Sequence, residues 1–239
     1  MAGQPHTHTQ THEHHQHGHG QHGHGQHAHR GGREYASEQE FWDSFYGERE
    51  RIWSGRPNSV LVREAAELPP GHALDLGCGE GADAVWLAGR GWRVTGTDIS
   101  PVALERAAGH AAEAGLAELI SFERHDLGES FPAGAFDLVS ACFLHSPGDM
   151  PRDRILRAAA AAVAPGGVLL VAGHGGAAPG TENPHPDLHL PTPQEVLAGL
   201  ELPEDGWEVL VCAEHERTGA EADRPGHGYD NTVKVRRRA

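Results

Sequence analysis

Lysine is almost absent: Lys234 is the only one in 239 residues. That excludes chemistry needing a lysine elsewhere, such as the phosphate-gripping loop of nucleoside triphosphatases or a Tyr-x-x-x-Lys dehydrogenase pair. Cysteine is nearly as scarce. Cys78, Cys142 and Cys212 stand far apart, which excludes a disulfide framework and a four-cysteine zinc site and fits a reducing, cytoplasmic setting. Positive charge is short too, with 19 basic against 34 acidic residues and a formal charge of −15. Arg30, Arg33 and Glu13 leave residues 1–33 at +1, so the remainder carries −16. A body that acidic repels phosphate backbones, and no nucleic-acid partner is expected. The longest apolar run lies near Gly167–Ala172, far short of the ~20 residues of a membrane-spanning helix. No basic-then-apolar leader opens the chain, so no membrane partner is expected either.

Histidine is what the sequence has in excess. Eleven of the 20 lie between His6 and His29, interleaved with Gly, Gln and Thr. Residues 4–32 carry no apolar side chain beyond Pro5 and Ala28, so they cannot offset their ordering entropy. They read as a disordered tail over 1–33, followed by one domain over 34–239. Neutral imidazoles at His12, His14, His15, His17 and His19 would bind divalent metal ions weakly.

Beyond Arg33 strands alternate with helices. Tyr35, Phe41, Trp42, Phe45, Tyr46, Ile52 and Trp53 mark an aromatic, helical lead-in over 35–53. Helices are expected over Asn58–Leu68, Ala82–Ala88, Ser100–Ala114, Met150–Ala164 and Thr192–Leu200. Strands are expected over His72–Leu76, Trp92–Thr97, Leu119–Glu123, Phe136–Phe143, Val168–Ala172, Trp207–Ala213 and Thr232–Arg236. Ser100-Pro101 supplies an N-cap and a first-turn proline, and Thr192-Pro193-Gln194-Glu195 a capping box. This alternation predicts an α/β fold with a doubly wound, mostly parallel seven-stranded sheet.

The segment Asp75-Leu76-Gly77-Cys78-Gly79-Glu80-Gly81-Ala82 follows the first strand and opens a helix. Its glycines allow a sharp turn and close backbone approach to a ligand at a helix N-terminus. Gly77-x-Gly79-x-x-Ala82 also satisfies the dinucleotide pattern in which alanine replaces the third glycine. Asp98 lies 21 residues after Gly77, where either kind of site places a ribose-binding acid. Charge separates the two. A dinucleotide brings a pyrophosphate to this loop, and Asp75 and Glu80 would repel it. They suit a ligand with an ammonium and a sulfonium. S-adenosylmethionine has both, with a ribose and an adenine and no phosphate.

Asp75–Gly81 resembles motif I of class I S-adenosylmethionine-dependent methyltransferases. Gly96-Thr97-Asp98-Ile99-Ser100 resembles the acidic end of that family's second strand, and His125-Asp126-Leu127 the motif after the third. Phe136-Asp137-Leu138-Val139-Ser140 resembles the fourth strand, and Val163-Ala164-Pro165-Gly166-Gly167-Val168-Leu169 the turn into the fifth. Upstream, Ile52-Trp53-Ser54-Gly55-Arg56-Pro57-Asn58 resembles the small-molecule branch that includes tellurite-resistance and thiopurine methyltransferase-like proteins.

The resemblance implies roles. Gly77, Cys78, Gly79 and Gly81 would line the methionine end of the cofactor. Asp75 would favour its ammonium, Arg56 its carboxylate and Asp98 the ribose hydroxyls. Asp126 would accept from the adenine amino group, and the Leu127 N–H would reach a ring nitrogen. Ile99 and Cys142, at the ends of the second and fourth strands, complete the cofactor set. His145 and His174 lie where ligands sit in such sheets and are the candidate general bases. The aromatic lead-in and the Gly173–Pro191 loop are expected to cover that edge. His174, His185, Asp187 and His189 lie close in sequence, but Pro184 and Pro186 deny a helical ligand pair, so no metal site is expected in the folded domain.

Cys142-Phe143-Leu144-His145 does not match the Asn/Asp-Pro-Pro-aromatic motif of amino-methylating DNA enzymes. No glutamate occurs from Ser140 to Gly148, unlike the arginine methyltransferases. The expected activity is methylation of a small-molecule acceptor. Two other readings remain: an NAD-dependent oxidoreductase, and a metal-binding or storage protein acting through the tail.

Overall fold

A computed structural model describes residues 28–30, 33–175, 190–217 and 228–239. Its centre is a seven-stranded sheet built from β3 (His72–Leu76), β4 (Arg93–Asp98), β5 (Ile120–Arg124), β6 (Phe136–Cys142), β7 (Val163–His174), β8 (Trp207–Glu216) and β9 (Tyr229–Arg237). The strand order is β5-β4-β3-β6-β7-β9-β8. Pairs from β5 to β7 are parallel, while β9 runs antiparallel to both β7 and β8. The chain leaves β3 towards β4 and β5, then returns to the other side of β3 for β6 and β7. That reversal is the point where open α/β sheets leave a crevice at their carboxyl edge.

Both faces of the sheet are buried because successive side chains alternate across it. Ala73, Leu138, Val168 and Leu170 join one core with residues of α2 (Ser59–Ala65) and α3 (Ala82–Ala88) and with Ala111 of α4 (Pro101–Glu113). Leu74, Leu76, Val139, Leu169 and Val171 join a second core with α5 (Arg152–Ala161) and α6 (Pro193–Gly199). The expected caps form: Ser100 Oγ accepts from Ala103 N–H, and Thr192 and Glu195 make the reciprocal capping box.

Several boundaries differ from the sequence reading. The lead-in helix α1 covers Glu38–Gly47 only. The chain then runs without regular structure to Asn58 because Glu80 and Asp83 capture its backbone N–H groups at Ile52, Trp53 and Asn58. The Met150–Ala164 helix begins at Arg152 and ends at Ala161. Strand β7 starts at Val163 and passes through Pro165-Gly166-Gly167 with a register shift against β6. On the tail side of the break expected at residue 33, β1 (Ala28–Arg30) pairs antiparallel with β2 (Arg33–Tyr35). The tail histidines His12, His14, His15, His17 and His19 lie outside the described residues, as do His185, Asp187 and His189. No helix among the described residues is long and apolar enough to cross a membrane.

Candidate active site

A cavity of about 350 Å³ lies along the carboxyl edge from β5 to β7. Twelve of the thirteen expected site residues line it: Arg56, Asp75, Gly77, Cys78, Gly79, Asp98, Ile99, Asp126, Leu127, Cys142, His145 and His174. Gly81 does not. It is the N-cap of α3 at φ +82, and a Cβ there would stand 2.8 Å from the Ala107 methyl on α4. Its smallness lets α3 pack closely against α4.

The turn after β3 needs glycine for backbone and for space. Gly77 and Gly79 sit at φ +67 and +53, where other residues are strained. A Cβ on Gly79 would come within 2.9 Å of the Tyr46 hydroxyl. The loop is pinned from below: Cys78 N–H donates to Thr97 O at 2.8 Å, and Gly79 N–H to Asp98 Oδ2 at 2.9 Å. Asp98 Oδ1 accepts from Ser100 N–H at 3.0 Å. Asp98 therefore ties strand β4 to the glycine loop. Burial raises its pKa to about 6, against the opposing pull of the Ser100, Gly79 and Ile99 N–H groups, with Asp43 adding a further upward push.

Asp75 sits at the centre of the crevice, level with Ser140 on β6 and Gly96 on β4. Its Oδ1 accepts from Ser140 Oγ at 2.9 Å, while Oδ2 is buried without a partner. Burial pushes its pKa well above the carboxylate range. Asp83 and Asp98 push it further, and Ser140 opposes them. Asp83 was not singled out from sequence, where it resembles an ordinary first-turn helix acid. It is 6% exposed, accepts from Asn58 N–H at 2.7 Å and Asn58 Nδ2 at 2.8 Å, and lines the cavity. Burial raises its pKa against those hydrogen bonds. Among the described residues none of these three acids has a basic side chain as partner.

Glu80 behaves differently from the sequence reading. In the sequence it reads, with Asp75, as negative charge offered to a ligand. Its carboxylate instead accepts from Ile52 N–H, from Trp53 N–H at 3.0 Å and from Arg106 Nη1 at 2.8 Å. Burial pushes its pKa up, but the Trp53 N–H, the Arg106 guanidinium and the Ile52 N–H together hold it below the usual value. Its charge is neutralised, and its function is to fasten the 48–58 loop over the cavity.

That loop and α1 form the roof. Trp42, Tyr46, Trp53, Ser54 and Gly55 line the cavity beside Arg56, which is exposed at the rim. Trp53 Nε1–H donates to the Tyr46 hydroxyl at 3.3 Å, and Ser100 Oγ donates to Asp43 Oδ1 at 2.5 Å, docking α1 on the cap of α4. Burial, with Asp98 next, raises the Tyr46 pKa, so the phenol stays protonated. Asp126 Oδ1 accepts from Gly128 N–H at 3.0 Å, forming a tight turn at the β5 end. At the β6 and β7 ends the rings of His145 and His174 stand 5.5 Å apart. Glu38, missed by the sequence reading, accepts from Ser146 Oγ on this side, and burial raises its pKa first, then Asp126. No group of three or more metal-ligating side chains occurs among the described residues.

A family model for a methyltransferase domain matches residues 73–167, the stretch from the start of β3 into β7 that carries this crevice. Residues 73–167 thus form a methyltransferase domain like those of class I S-adenosylmethionine-dependent methyltransferases. The chain is 32% identical over 141 residues to the 2-heptyl-1-hydroxyquinolin-4(1H)-one methyltransferase of Mycobacteroides abscessus, covering 56% of this chain and 61% of that one. The chain spans less than two thirds of the length of that and other curated methyltransferases it matches. A solved structure from the conversion of a disulfide bond into a thioacetal group during echinomycin biosynthesis superposes at TM-score 0.60 and 26% identity, covering 84% of this chain and 93% of the other. The N-methyltransferase NodS of Bradyrhizobium japonicum, solved with S-adenosyl-L-homocysteine, superposes at TM-score 0.58 and 18% identity over 84% and 98% of the two chains. That last likeness shows the fold alone.

Proposed function

We propose that this chain, through its methyltransferase domain, moves a methyl group from S-adenosylmethionine to a small-molecule acceptor. The observation that carries the reading is the unpartnered, buried Asp75 Oδ2 at the foot of the glycine loop. A buried acid left without a cation is costly, and a ligand ammonium at that point supplies one. Asp83 and Asp98 add to the same field. A pyrophosphate would meet three acids there, which argues against the NAD reading.

In this account Asp75 holds the ammonium, directly or through water, and Gly77, Cys78 and Gly79 admit the methionine end close to the backbone. Asp98 keeps lone pairs for the ribose hydroxyls beyond its two backbone bonds. Ile99 and Leu127 flank the nucleoside, Asp126 accepts from its amino group and Arg56 reaches the carboxylate. Cys142 packs against the methionine side. When bound, the cofactor supplies a methyl group on a sulfonium, a leaving group that needs no protonation. The protein has then to align an acceptor and exclude water, which the Trp42–Tyr46–Trp53 roof is placed to do.

The acidity of the body speaks against nucleic acid as acceptor, and the three free thiols fit a reducing cytoplasm. The narrower small-molecule branch rests on the 52–58 segment, whose Trp53, Arg56 and Asn58 line the cavity. Metal binding by the tail is a separate property that this chemistry does not use.

The test is incubation with methyl-labelled S-adenosylmethionine and a panel of small thiols, phenols and carboxylic acids, with S-adenosylhomocysteine measured by mass spectrometry. Acceptor-dependent formation that is lost in Asp75→Asn is expected. Bound cofactor with no label moved to any acceptor would count against catalysis.

A further inference from the structure

A second cavity, of about 420 Å³, lies where the proposed reaction has no use for it. It is framed by the end of α5, the end of α6, the start of β8 and the end of β9. This is the opposite edge of the sheet from the glycine loop, beside the start of β7. Leu200, Leu202 and Trp207 give it an apolar lining continuous with the second core. Arg157, Arg237 and Arg238 stand around that lining with one acid, Glu201. Three guanidiniums against one carboxylate leave +2 at this spot, in a chain of −15. Glu204 and Asp205, on the turn before Trp207, do not line the cavity.

The arginines are anchored yet keep donors to spare. Arg157 Nη1 donates to Gly199 O at 2.9 Å, at the end of α6, and to Glu201 Oε1 at 3.3 Å. Arg237 Nη1 donates to Val163 O at 2.7 Å, at the start of β7. Arg238 is held by its backbone, whose N–H donates to Gly206 O at 2.8 Å, and its exposed guanidinium has no partner among the described residues. A guanidinium carries five donors, so most of the fifteen are still available. The Arg157 side chain is 39% exposed and that of Glu201 71%, so their pairing is worth little and yields to a better anion. Glu201, just past the end of α6, holds the left-handed backbone, φ +51, that usually falls to glycine. That reversal carries the chain from α6 to Leu202 and the cavity wall.

We infer that this cavity is a second ligand site, for a small amphipathic anion with a flat apolar body and one carboxylate, sulfonate or phosphate. The body packs on Trp207 and Leu202, since an indole offers a broad apolar face. The oxyanion sits among the guanidiniums, whose planar forks match it with paired N–H bonds. The volume falls within the usual range of small-molecule sites, about 300–1,000 Å³. Neither half of the ligand suffices. A bare anion meets guanidiniums still open to water, where a single charge pair is weak, and a neutral ring forgoes the charge. The larger cavity selects the other way, because Asp75, Asp83, Asp98 and Asp126 line it and repel the same anion. Helix α5 touches both sites: Ile155 lines the first and Arg157 the second. The inference does not rest on the methyltransferase reading.

The experiment titrates 1-naphthalenesulfonate into the full-length chain carrying nitrogen-15 in its tryptophan indoles. The Trp207 signal is the one missing from Trp207→Phe. Trp42 and Trp53 line the larger cavity and report binding there. The expected result is a saturable shift of the Trp207 signal with Kd below about 1 mM, and none at Trp42 or Trp53. Arg238→Gln removes a side chain that holds nothing else among the described residues, and it should weaken binding about two- to fivefold. Glu201→Gln removes the competing carboxylate and should tighten binding by a similar factor. 1-Naphthol and sodium sulfate, each at the same concentrations, should give no saturable shift at Trp207. A Trp207 signal that does not saturate, or saturation at Trp42 or Trp53 in its place, overturns the inference. A Kd that is the same in the parent, Arg238→Gln and Glu201→Gln overturns it as well. So does an equal response to 1-naphthol, which makes the cavity merely apolar, or to sulfate, which makes it a place for an adventitious ion only.

Discussion

Glu80→Gln tests the roof of the cavity. The Glu80 carboxylate is 4% exposed and gives one oxygen to Arg106, the other to Trp53 N–H, with Ile52 N–H shared between them. A glutamine offers one oxygen and one NH2, so either Arg106 or Trp53 must face a donor. Removing one partner of a buried ion pair costs about 3–5 kcal/mol. Arg106 is 20% exposed and also donates to Arg49 O, so it can re-solvate. The expected loss is therefore smaller, about 2 kcal/mol, or roughly 4–8 °C in Tm for a domain of this size. It should be local. The 48–58 loop stays tied at Asn58 through Asp83, so hydrogen exchange should speed up at residues 50–55 and hardly at all in β3 or β6. The pH dependence has a fixed sign. Because the folded pKa of Glu80 is lowered, its stabilisation is present above the unfolded value of about 4.3 and is lost as pH falls through the lower folded value. The gap between parent and variant should close in acid. Unchanged Tm together with unchanged exchange at residues 50–55 would refute the fastening role of Glu80.

Asp98→Asn should weaken S-adenosylhomocysteine binding by about 2–4 kcal/mol by isothermal calorimetry. An unchanged affinity would remove Asp98 from the ribose site. The raised pKa of Asp98, about 6, has the opposite sign to that of Glu80: its contribution is fully present below the unfolded value of about 3.9 and fades as pH rises through 6. The ligand-free protein should therefore gain thermal stability between pH 8 and pH 5.5, and binding that favours the ionised acids at pH 6 should release protons. Binding heats that do not vary with the ionisation enthalpy of the buffer would contradict this. Deleting residues 1–27 should leave Tm and cofactor affinity unchanged while abolishing nickel retention above pH 7, where imidazole is neutral; a large drop in Tm would make the tail structural.

The sequence carried the parts of this site that are local in the chain. Asp75, Gly77 and Gly79 announce a strand, a left-handed turn and a helix start within a few residues, and Ser100 and Thr192 announce caps by chemistry confined to one turn. Residues whose partners lie far along the chain were not legible. Glu80 reads as free charge until Arg106 and the Trp53 N–H, each about 26 residues away, are seen to take it up. Asp83 reads as an ordinary helix acid because nothing local shows that Asn58 will bury it. Gly81 reads as part of the ligand loop because its contact, Ala107, belongs to another helix. The early start of β7 was hidden because Pro165-Gly166-Gly167 signals a turn, whereas a register shift against β6 lets the strand pass through it. Arg157 meets Arg237 and Arg238 only through the packing of α5 beside the end of β9, which no short motif encodes.

In the proposed function the acids at the foot of the glycine loop favour a sulfonium cofactor over a dinucleotide. Calorimetric titration of the full-length chain with S-adenosylhomocysteine and, separately, with NAD tests it most directly. Saturable one-site binding of S-adenosylhomocysteine, weakened in Asp75→Asn, with no measurable heat from NAD is the predicted result. Saturable binding of NAD with none of S-adenosylhomocysteine would contradict it.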